Sequence, residues 1–520
     1  MKKNIHIFLF CLTLLYTAAC SKKKDACDEC PVVRSLTPDL GFAGDTIILV
    51  GKNFSTDLQQ NVVTFNGTTV PTSDLISCNG IQLKVLVPYN CGTGPVNVSI
   101  GENLNSAEGP TFTYEPAHIT SFSPAEGKKN DTILIRGEHF STTKNSVKFN
   151  GLTASVFYES DTLIKAIVPV NCGTGIITIT LPNALVVKSL TDFKYIYTYT
   201  TSTYIGIPKT EGAQNGPFLT ATFKDLHAFV YDYRSRSIYI SDGNCIRRCN
   251  NGEVTTWAGN QTTSGYKDGY GNLTALFNNP GKLAASSIGD LYVPDLNNYC
   301  IRKITAANAL VSTFCGKGTQ MGDKDGRGAA ALFGLPYAVD IIPDSVLYIS
   351  DFGNKKLRKV DSRTSTGNVT TVPLTSPLTC NEVFILNKTT LIGLDISNNQ
   401  LMKIDLSTNT IAPFAGTGAA GALDGDALSA TFNSPTGAAM RTINGKREIY
   451  IADTQNNAIR KITEDGKVTT VMGGTAGYQE GVNLAALFDH PNSLAFDGVY
   501  NTILYVLDAG NKIVRKVVID

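Results

Sequence analysis

The chain has 520 residues, 42% hydrophobic and 17% charged, and its formal net charge is +1 at pH 7. This length leaves room for several domain cores, and the balanced charge gives no electrostatic footprint for a nucleic acid. After the first twenty positions the apolar residues alternate at the two-residue period of strands, and no helical periodicity competes with them. The pattern predicts an all-β protein.

Residues 1–20 have the composition of a targeting segment. Two lysines open it, and the apolar run 5–16 is too short to span a bilayer. The tetrapeptide 17–20, Thr-Ala-Ala-Cys, resembles a bacterial lipoprotein cleavage site, which implies acylation of Cys20 and an outer-membrane anchor. Ordinary secretory cleavage is the alternative. Residues 21–30 would then be a tether, and we expect the protein at the cell surface, with the periplasmic face as the other possibility.

Residues 31–116 and 117–197 are two copies of one pattern of short alternating strands with Gly, Pro and Asn turns. VPYNCGTG at 87–94, for example, matches VPVNCGTG at 168–175. The pattern predicts an immunoglobulin-like β-sandwich in each copy. Both copies resemble IPT/TIG domains, and this resemblance implies spacers or adhesion modules rather than catalytic domains.

The cysteines are typical of an exported protein. Cys27 and Cys30 form a CxxC in the tether, which is more often a disulfide than half of a metal site in such a chain. In the first sandwich Cys78 is the only local partner for Cys91, so the two are predicted to form a disulfide. Cys172 holds the equivalent position in the second sandwich and is predicted to be a buried free thiol.

One phrase recurs six times in residues 200–520. Each copy is a strand of the form apolar-Tyr-apolar that ends in Asp, a polar turn, and an apolar-Arg-Lys strand. The copies lie at 237–248, 291–304, 347–360, 391–404, 449–462 and 504–517. A repeat of roughly 50 residues made of short strands predicts one propeller blade per copy. The region resembles the NHL-repeat family of six-bladed propellers.

The last copy lacks the Thr-rich outer strand that follows the others. TSTYIG at 201–206 matches that strand, so we predict that it closes the ring by pairing with the last blade near 511–518. Closure would remove two exposed strand edges, which are prone to aggregation. The predicted architecture is therefore two sandwiches followed by a six-bladed β-propeller.

Five copies carry Arg at one position, and a carboxylate-Gly pair stands in the loop that leads into each of them. The copy with Met402 lacks the acid as well as the Arg. This covariation within the chain predicts structural ion pairs, for which the planar guanidinium of Arg is well suited. The predicted pairs are Glu211–Arg247, Asp268–Arg302, Asp325–Arg358, Asp424–Arg460 and Glu480–Arg515.

Fold does not decide function here, because propellers of this family include enzymes, protein-binding platforms and glycan binders. The peptide-amidating lyase that the ring resembles binds zinc through histidines, but the only histidines of this ring are His227 and His490. No catalytic residue or metal site is therefore predicted. The loop 321–328, MGDKDGRG, faintly resembles a calcium loop, so calcium is the one cofactor kept as an alternative to none.

Ligands of propellers usually bind where the chain enters the innermost strands. Two sets of positions there break the sameness of the repeat, and the residues selected from them as the predicted ligand site are Asp225, His227, Tyr337, Glu382, His490 and Asn492. Polar groups beside a tyrosine ring suit hydrogen bonding to sugar hydroxyls and stacking on a sugar face. The alternative is that these residues are only solvated loop positions.

These features together predict a cell-surface glycan-binding lipoprotein. The sandwiches would be spacers, and the propeller would capture a polysaccharide or oligosaccharide. The order of domains resembles accessory proteins of outer-membrane glycan uptake systems, which implies an uptake complex as a further partner. Two alternatives stay open, namely a propeller lyase or hydrolase that acts on a polysaccharide or lactone, and a protein–protein adhesion module.

Overall fold

The computed structural model describes residues 29–101, 104–105, 108–182, 184–342, 346–443, 445–498 and 501–520. The predicted targeting segment, the lipidation at Cys20 and the Cys27 thiol lie outside these residues. The described chain is built almost wholly from strands, which confirms the all-β prediction. Its helical elements are short: Gly271–Thr274 (α) and Leu58–Gln60, Thr72–Asp74, Leu296–Asn298, Gly328–Ala330, Phe352–Asn354, Thr454–Asn456 and Asn483–Ala485 (3-10). None of these helices is long and apolar enough to cross a membrane.

The first sandwich packs two sheets face to face. One sheet has, in spatial order, Val32–Thr37, Thr46–Lys52, Gln82–Leu86 and Leu75–Cys78; the other has Leu40–Gly41, Thr111–Tyr114, Gly94–Ile100, Asn61–Phe65 and Thr68–Thr69, with Leu104–Asn105 beside Gly94–Ile100. In Thr46–Lys52 the fully buried residues are Ile47 and Leu49, because strand alternation turns every second side chain inward. The rings of Phe65 and Phe112 meet edge to face in the core, 5.2 Å apart.

The second sandwich repeats the first. Its sheets are His118–Ser123, Thr132–Glu138, Leu163–Ile167 and Ser155–Glu159, and Glu126–Gly127, Val186–Tyr195, Gly175–Thr180, Ser146–Phe149 and Leu152–Thr153. Phe149 and Phe193 stand where Phe65 and Phe112 stand in the first copy, and their rings meet edge to face at 5.0 Å. The shared sequence pattern therefore builds the same core twice, and the prediction of two sandwiches is confirmed.

No disulfide joins the described sandwich cysteines Cys78, Cys91 and Cys172. Cys172 is fully buried, as predicted, and burial raises the pKa of its thiol to about 12. The predicted Cys78–Cys91 disulfide is wrong. Cys91 lies in the core of the first sandwich and Cys78 ends an edge strand beside it, and both remain reduced.

Six sheets surround a central channel, one for each copy of the repeat, so the predicted propeller is confirmed. Blades 1 to 3, from the channel outward, are Leu226–Asp232, Ser237–Asp242, Cys245–Asn250, Glu253–Gly259 and Gly216–Pro217; Ala284–Ala285, Leu291–Asp295, Cys300–Ile304, Leu310–Cys315 and Gly269–Tyr270; and Pro336–Ile342, Val346–Asp351, Lys356–Asp361, Asn368–Thr371 and Gly326–Arg327. Blades 4 to 6 are Glu382–Asn387, Thr390–Asp395, Gln400–Asp405 and Thr410–Ala415; Pro435–Ile443, Lys446–Asp453, Ala458–Thr463, Lys467–Gly473 and Gly425–Asp426; and Pro491–Phe496, Ile503–Asp508, Ile513–Ile519, Tyr199–Ile205 and Gly481–Val482.

The ring is closed by its two ends. Strand Tyr199–Ile205 pairs antiparallel with Ile513–Ile519, with Tyr199 opposite Ile519 and Thr203 opposite Arg515. The prediction of closure through 201–206 is therefore confirmed. The first strand of the propeller region completes the last blade, so the ring leaves neither end of the sheet series open.

Each repeat Arg is fully buried and bonds to the Asp that ends the second strand of its own blade. The distances from Arg Nη1 to Asp Oδ2 lie between 2.7 and 3.1 Å in the pairs Arg247–Asp242, Arg302–Asp295, Arg358–Asp351, Arg460–Asp453 and Arg515–Asp508. Both partners of every pair are shielded from solvent. This partner was not predicted, although the Asp ends the first strand of every copy of the repeated phrase.

The predicted loop carboxylate is a second partner in three blades. Asp268, Asp325 and Asp424 lie 2.6, 2.8 and 2.8 Å from the guanidinium of Arg302, Arg358 and Arg460, so these three predicted pairs are confirmed. Each carboxylate also accepts a backbone N–H from the Thr-rich strand of its blade. The loop acid thus ties the short outer strand of the blade to its buried Arg.

Two of the five predicted pairs are wrong. Arg247 donates to Asn215 Oδ1 at 2.9 Å instead of to Glu211, because Asn215-Gly216 is the true counterpart of the Asp-Gly pairs. Glu480 stands at the expected place but accepts the backbone N–H of Thr203 at 2.8 Å. Its Arg515 donates to the carbonyl of Gln479.

Blade 4 departs from the other blades at every part of this arrangement. It has four strands, since the short loop into it adds no outer strand, and Met402 replaces the Arg. Pro413 stands opposite Met402, where blade 2 has a Thr whose N–H binds the loop acid. The buried Asp395 instead accepts from the Thr379 hydroxyl and from the Asn398 amide. Blade 4 therefore lacks the loop acid together with both groups that bind this acid in blade 2, the Arg guanidinium and the Thr backbone N–H.

The second sandwich is joined to the propeller by a packed interface rather than by a free linker. The Tyr197 ring lies 4.8 Å from the guanidinium carbon of the buried Arg441 and 4.8 Å from Lys461 Nζ. Arg441 is held by the Glu448 carboxylate at 2.8 Å, and Glu448 has its pKa lowered by that neighbouring charge despite burial. Lys129 of the sandwich bonds to the Asp520 carboxylate at 2.5 Å. The two domains should therefore move as one body.

We expect Tyr197→Ala to destabilise this interface by about 2 kcal/mol, because a desolvated cation–π contact is worth about that much and the change also uncovers Arg441. Chemical denaturation of residues 21–520 should show the propeller transition at lower denaturant. The control is Tyr158→Ala, which removes the cation–π contact to Lys165 on the exposed edge of the same sandwich. Equal, small effects in both variants would contradict a packed interface.

Candidate ligand-binding site

The channel has two ends that differ in chemistry. The inner segments of the blades run in the same direction, so their first residues meet at one end, called here the N-terminal rim, and their last residues meet at the C-terminal rim. The predicted site residues lie at the start of these segments or just before them, at the N-terminal rim. The turns that follow the inner strands lie at the C-terminal rim.

At the N-terminal rim His227 joins two blades. Its Nε2 lies 2.9 Å from Asp225 Oδ2, and its Nδ1 lies 3.2 Å from the carbonyl oxygen of Pro280 in blade 2. Both ring nitrogens are therefore engaged by protein atoms. Asp225 is itself largely exposed, so the polar atom of this pair that remains available to a ligand belongs to the carboxylate.

Asn492 closes the gap between blades 6 and 1. Its Nδ2 donates to the carbonyl oxygens of Leu226 and His227, at 3.1 and 3.0 Å. Thr436 of blade 5 in turn donates its hydroxyl to the Asn492 carbonyl at 3.1 Å. Within the described residues the buried Oδ1 of Asn492 has no hydrogen-bond partner. The rim is thus crossed by inter-blade bonds.

Tyr337 and His490 stand apart from that cluster. The half-buried Tyr337 ring packs 6.3 Å from Phe352, and burial raises the pKa of its hydroxyl. Blade 2 approaches Tyr337 closely, since a Cβ at Gly281 would lie 2.4 Å from the Tyr337 carbonyl oxygen. His490 is exposed and bonds to Asp489 Oδ1 at 2.6 Å. The role of all these residues as ligand contacts stays a prediction.

Glu382, the sixth predicted residue, is bound by a side chain of blade 2. Only 7% of its side chain is exposed, and its Oε1 is in direct contact with the ammonium of Lys282. Lys282 belongs to blade 2 and Glu382 to blade 4, so this ion pair spans blade 3. The backbones of blades 2 and 3 are also joined here, because Lys282 forms a parallel β-bridge with Ala338 of blade 3.

A cavity of about 530 Å³ occupies the channel from Lys282 to the C-terminal rim. All six blades line it: Phe229–Arg234, Lys282–Ser287, Val339–Ile341, Phe384–Ile385, Ala438–Met440 and Leu494–Phe496. Most of these side chains are apolar, and many are alanines that leave the lumen open. A cavity of this size with a few convergent polar groups is typical of small-ligand sites.

The rim of this cavity carries an exposed aromatic ring. Tyr233 follows the inner strand of blade 1, and 60% of it is exposed. The Cδ1–Cε1 edge of its ring lies against Gly498 of blade 6, where a Cβ would come within 2.1 Å of these two carbons. Gly498 also has a φ of 69°, which favours glycine. Asp232 and Arg234 stand beside the ring, and the Asp232 carboxylate accepts the Arg234 N–H at 3.0 Å.

The deep end of the cavity is charged. Burial lowers the pKa of the Lys282 ammonium to about 8, and the Asp340 charge acts against that shift. Burial raises the pKa of the Asp340 carboxyl, while Lys282 and two backbone N–H groups favour its charged form. Those donors are Ile341 N at 2.8 Å and Ile385 N at 2.7 Å.

Sequence reasoning missed Lys282 and Asp340, although a signal was present. Lys282 stands one position after the rim residue of its blade, where the other blades have Ala228, Ala338, Val383, Gly437 and Ser493. Asp340 stands three positions after the rim residue of blade 3, where the others have Val230, Ala284, Ile385, Ala439 and Ala495. Both therefore break the repeat more sharply than the rim residues do.

The carboxylates of the predicted calcium loop face cations of the protein. Asp323 bonds to Lys356 at 2.5 Å, and Asp325 bonds to Arg358 at 2.8 Å. Among the described residues, no three His, Cys, Asp or Glu side chains are grouped as a metal site would require. Calcium binding by this loop remains the alternative that the sequence suggested.

Comparison with known proteins agrees with the domains. The IPT/TIG domain family matches residues 31–114 and 117–195. Over 300 residues, 51% of this chain, the sequence is 26% identical to Protein SUPPRESSOR OF QUENCHING 1, chloroplastic, of Arabidopsis thaliana. Over 297 residues, 48% of this chain, it is 26% identical to NHL repeat-containing protein 2 of Gallus gallus. The aligned regions span 28% and 40% of those relatives.

A solved structure extends the likeness to the arrangement of domains. An auxiliary nutrient binding protein from Bacteroides ovatus superposes with a TM-score of 0.51 at 18% identity, covering 78% of this chain and 98% of its own. Identity at that level shows the fold alone. The predicted combination of IPT/TIG domains with an NHL-repeat propeller is confirmed.

Proposed function

We propose that this chain, two IPT/TIG domains joined to an NHL-repeat propeller, captures a carbohydrate nutrient in the axial cavity of the propeller. The observation that carries the proposal is the cavity of about 530 Å³ with the exposed Tyr233 ring at its rim. A tyrosine ring offers an apolar face to a sugar, while nearby polar groups fix the orientation of its hydroxyls.

The likeness to an auxiliary nutrient binding protein supports a capture role through the fold. The carbohydrate class rests on the cavity itself, where Arg234, Ser286 and Ser287 stand near the ring and charged groups lie deeper. The N-terminal rim is the second candidate for the sugar site. There Tyr337 would stack on the sugar, and His227, Glu382, Asn492, His490 and Asp225 would supply hydrogen bonds.

We place the protein on the outer membrane through acylated Cys20, with the sandwiches between the anchor and the propeller. The packed interface at Tyr197 supports this arrangement, because it holds the propeller in one orientation relative to its spacer. Two or three acyl chains would anchor the chain firmly. A partner uptake complex would then receive the captured sugar.

One observation favours an enzyme as the second candidate function. The exposed carboxylate–imidazole pair Asp489–His490 stands at the N-terminal rim, and His490 binds Asp489 through its Nδ1. Such a pair can act as a general base, which suits a lyase or hydrolase. Release of product from a polysaccharide or lactone by the wild type, lost in His490→Asn, would establish that function.

The proposed function is tested by presenting residues 21–520, without the leader, to a panel of defined oligosaccharides. We expect saturable binding of at least one member without change of the sugar, measured by calorimetry and by chromatography of the recovered ligand. Absence of binding across the panel would contradict carbohydrate capture. Recovery of a shortened or unsaturated sugar would favour the enzyme instead.

A further inference from the structure

The deep end of the axial cavity holds charges that the blade fold does not require. At the position of Lys282 in blade 2, the other five blades have small uncharged residues. At the position of Asp340 in blade 3, the other five blades have apolar residues. The ring therefore closes without these charges. Burial of a charge is costly unless it is paired, so their presence in a ligand-sized cavity calls for a role beyond blade packing.

The three charged side chains are placed as one group by three blades. Lys282 comes from blade 2, Asp340 from blade 3 and Glu382 from blade 4. Lys282 is in direct contact with Glu382 and has 14% of its side chain exposed, while Asp340 is held by the backbone N–H of Ile385 at 2.7 Å. The group is rigid because each member is tied to a neighbouring blade.

The hydrogen-bonding capacity of the group is only partly used. An ammonium has three N–H donors, and the Glu382 contact takes one of them. Each Asp340 oxygen accepts one backbone N–H, which leaves further lone pairs. A hydroxyl both donates and accepts, so sugar hydroxyls match what remains.

The charge balance of the group is one cation against two carboxylates. The Lys282 ammonium is already matched by Glu382, so no unpaired cation awaits a ligand carboxylate. A third carboxylate here would meet net repulsion in a site of low dielectric, where such terms are large. An amine would meet net attraction. Asp232 and Arg234 at the rim are of opposite charge and leave this balance unchanged.

We infer that Lys282, Asp340 and Glu382 form a recognition floor for the buried end of a neutral or amine-bearing sugar, and that they select against acidic sugars. The inference rests on the proposed carbohydrate capture and names its substrate class. Tyr233 would then stack on the sugar at the rim, and the charged floor would form hydrogen bonds with its buried end.

The test uses residues 21–520 and matched sugars that differ at one group: glucose, glucosamine and glucuronic acid, and galactose, galactosamine and galacturonic acid. Affinities are measured by ligand-observed NMR at pH 7. In at least one series we expect the neutral or amine sugar to bind at least tenfold more tightly than the acid. In Glu382→Gln, which makes the floor neutral overall, the gap should shrink by about tenfold.

A triple variant, Lys282→Met with Asp340→Asn and Glu382→Gln, removes all three charges and leaves none of them buried without its partner, so it keeps the test usable if the single variant folds poorly. It should weaken the neutral sugars and abolish discrimination. Acidic sugars that bind as tightly as their neutral matches would overturn the inference and leave carbohydrate capture standing. No binding in either series would overturn both. Discrimination that survives the triple variant would overturn the assigned floor.

Discussion

We expect Arg302→Met to be the most destabilising single change in the ring. The Arg302 guanidinium bonds to Asp295 at 2.8 Å and to the carbonyls of Leu276 and Lys267, with both Arg302 and Asp295 fully buried. Removing it leaves the Asp295 carboxylate buried without its cation, which costs about 3–5 kcal/mol in comparable sites. Chemical denaturation of residues 21–520 should show that loss.

Two matched variants separate the buried pair from the exposed one. Asp268, 51% exposed, bonds to the same guanidinium at 2.6 Å, and Asp268→Asn should cost under about 1 kcal/mol because solvent screens exposed pairs. Arg302→Met combined with Asp295→Asn should recover part of the loss, as blade 4 folds with Met402. If Asp268→Asn proved as damaging as Arg302→Met, the loop acid rather than Asp295 would be the principal partner.

We expect Tyr233→Ala to weaken sugar binding by more than about tenfold, or about 1.4 kcal/mol. The ring is exposed at the rim of the axial cavity and contacts Gly498 and, edge to face at 5.3 Å, the buried Tyr231. Its loss removes the stacking face together with one aromatic contact, so stability should fall by no more than about 1.5 kcal/mol. Calorimetry with the sugar found by the oligosaccharide panel measures the affinity, and thermal unfolding measures the stability.

Tyr270 provides the control for this prediction, and Tyr337 tests the alternative site. Tyr270, on the outer strand of blade 2, is about as exposed as Tyr233 but lies away from the channel, so Tyr270→Ala should leave binding unchanged. Tyr337 stands at the N-terminal rim. Loss of affinity in Tyr337→Ala with none in Tyr233→Ala would move the site to that rim, where the sequence analysis placed it.

The pairs between the repeat Arg and the loop acids could be predicted from the sequence repeats in only some of the blades. In three blades the Asp-Gly spacing identified the partner, because the loop and the strand keep the same geometry. In blade 1 the motif Glu211-Gly212 misled, since the backbone places Gly216–Pro217 as the outer strand and Asn215 directly before it. The choice between two neighbouring turns depends on strand pairing, which composition does not reveal.

The two kinds of sequence repeat by themselves determined the six blades, the closure through the first strand and the two sandwiches, since period-two alternation and turn residues act locally and recur in every copy. It did not determine which end of the channel is open. That depends on side chains from different blades, such as Asn492 beside His227 and Lys282 beside Glu382, which lie far apart in the chain. They meet only when the ring closes. The tertiary structure therefore decided that inter-blade hydrogen bonds cross the N-terminal rim, where the sequence predicted the site, and that the cavity lies toward the C-terminal rim.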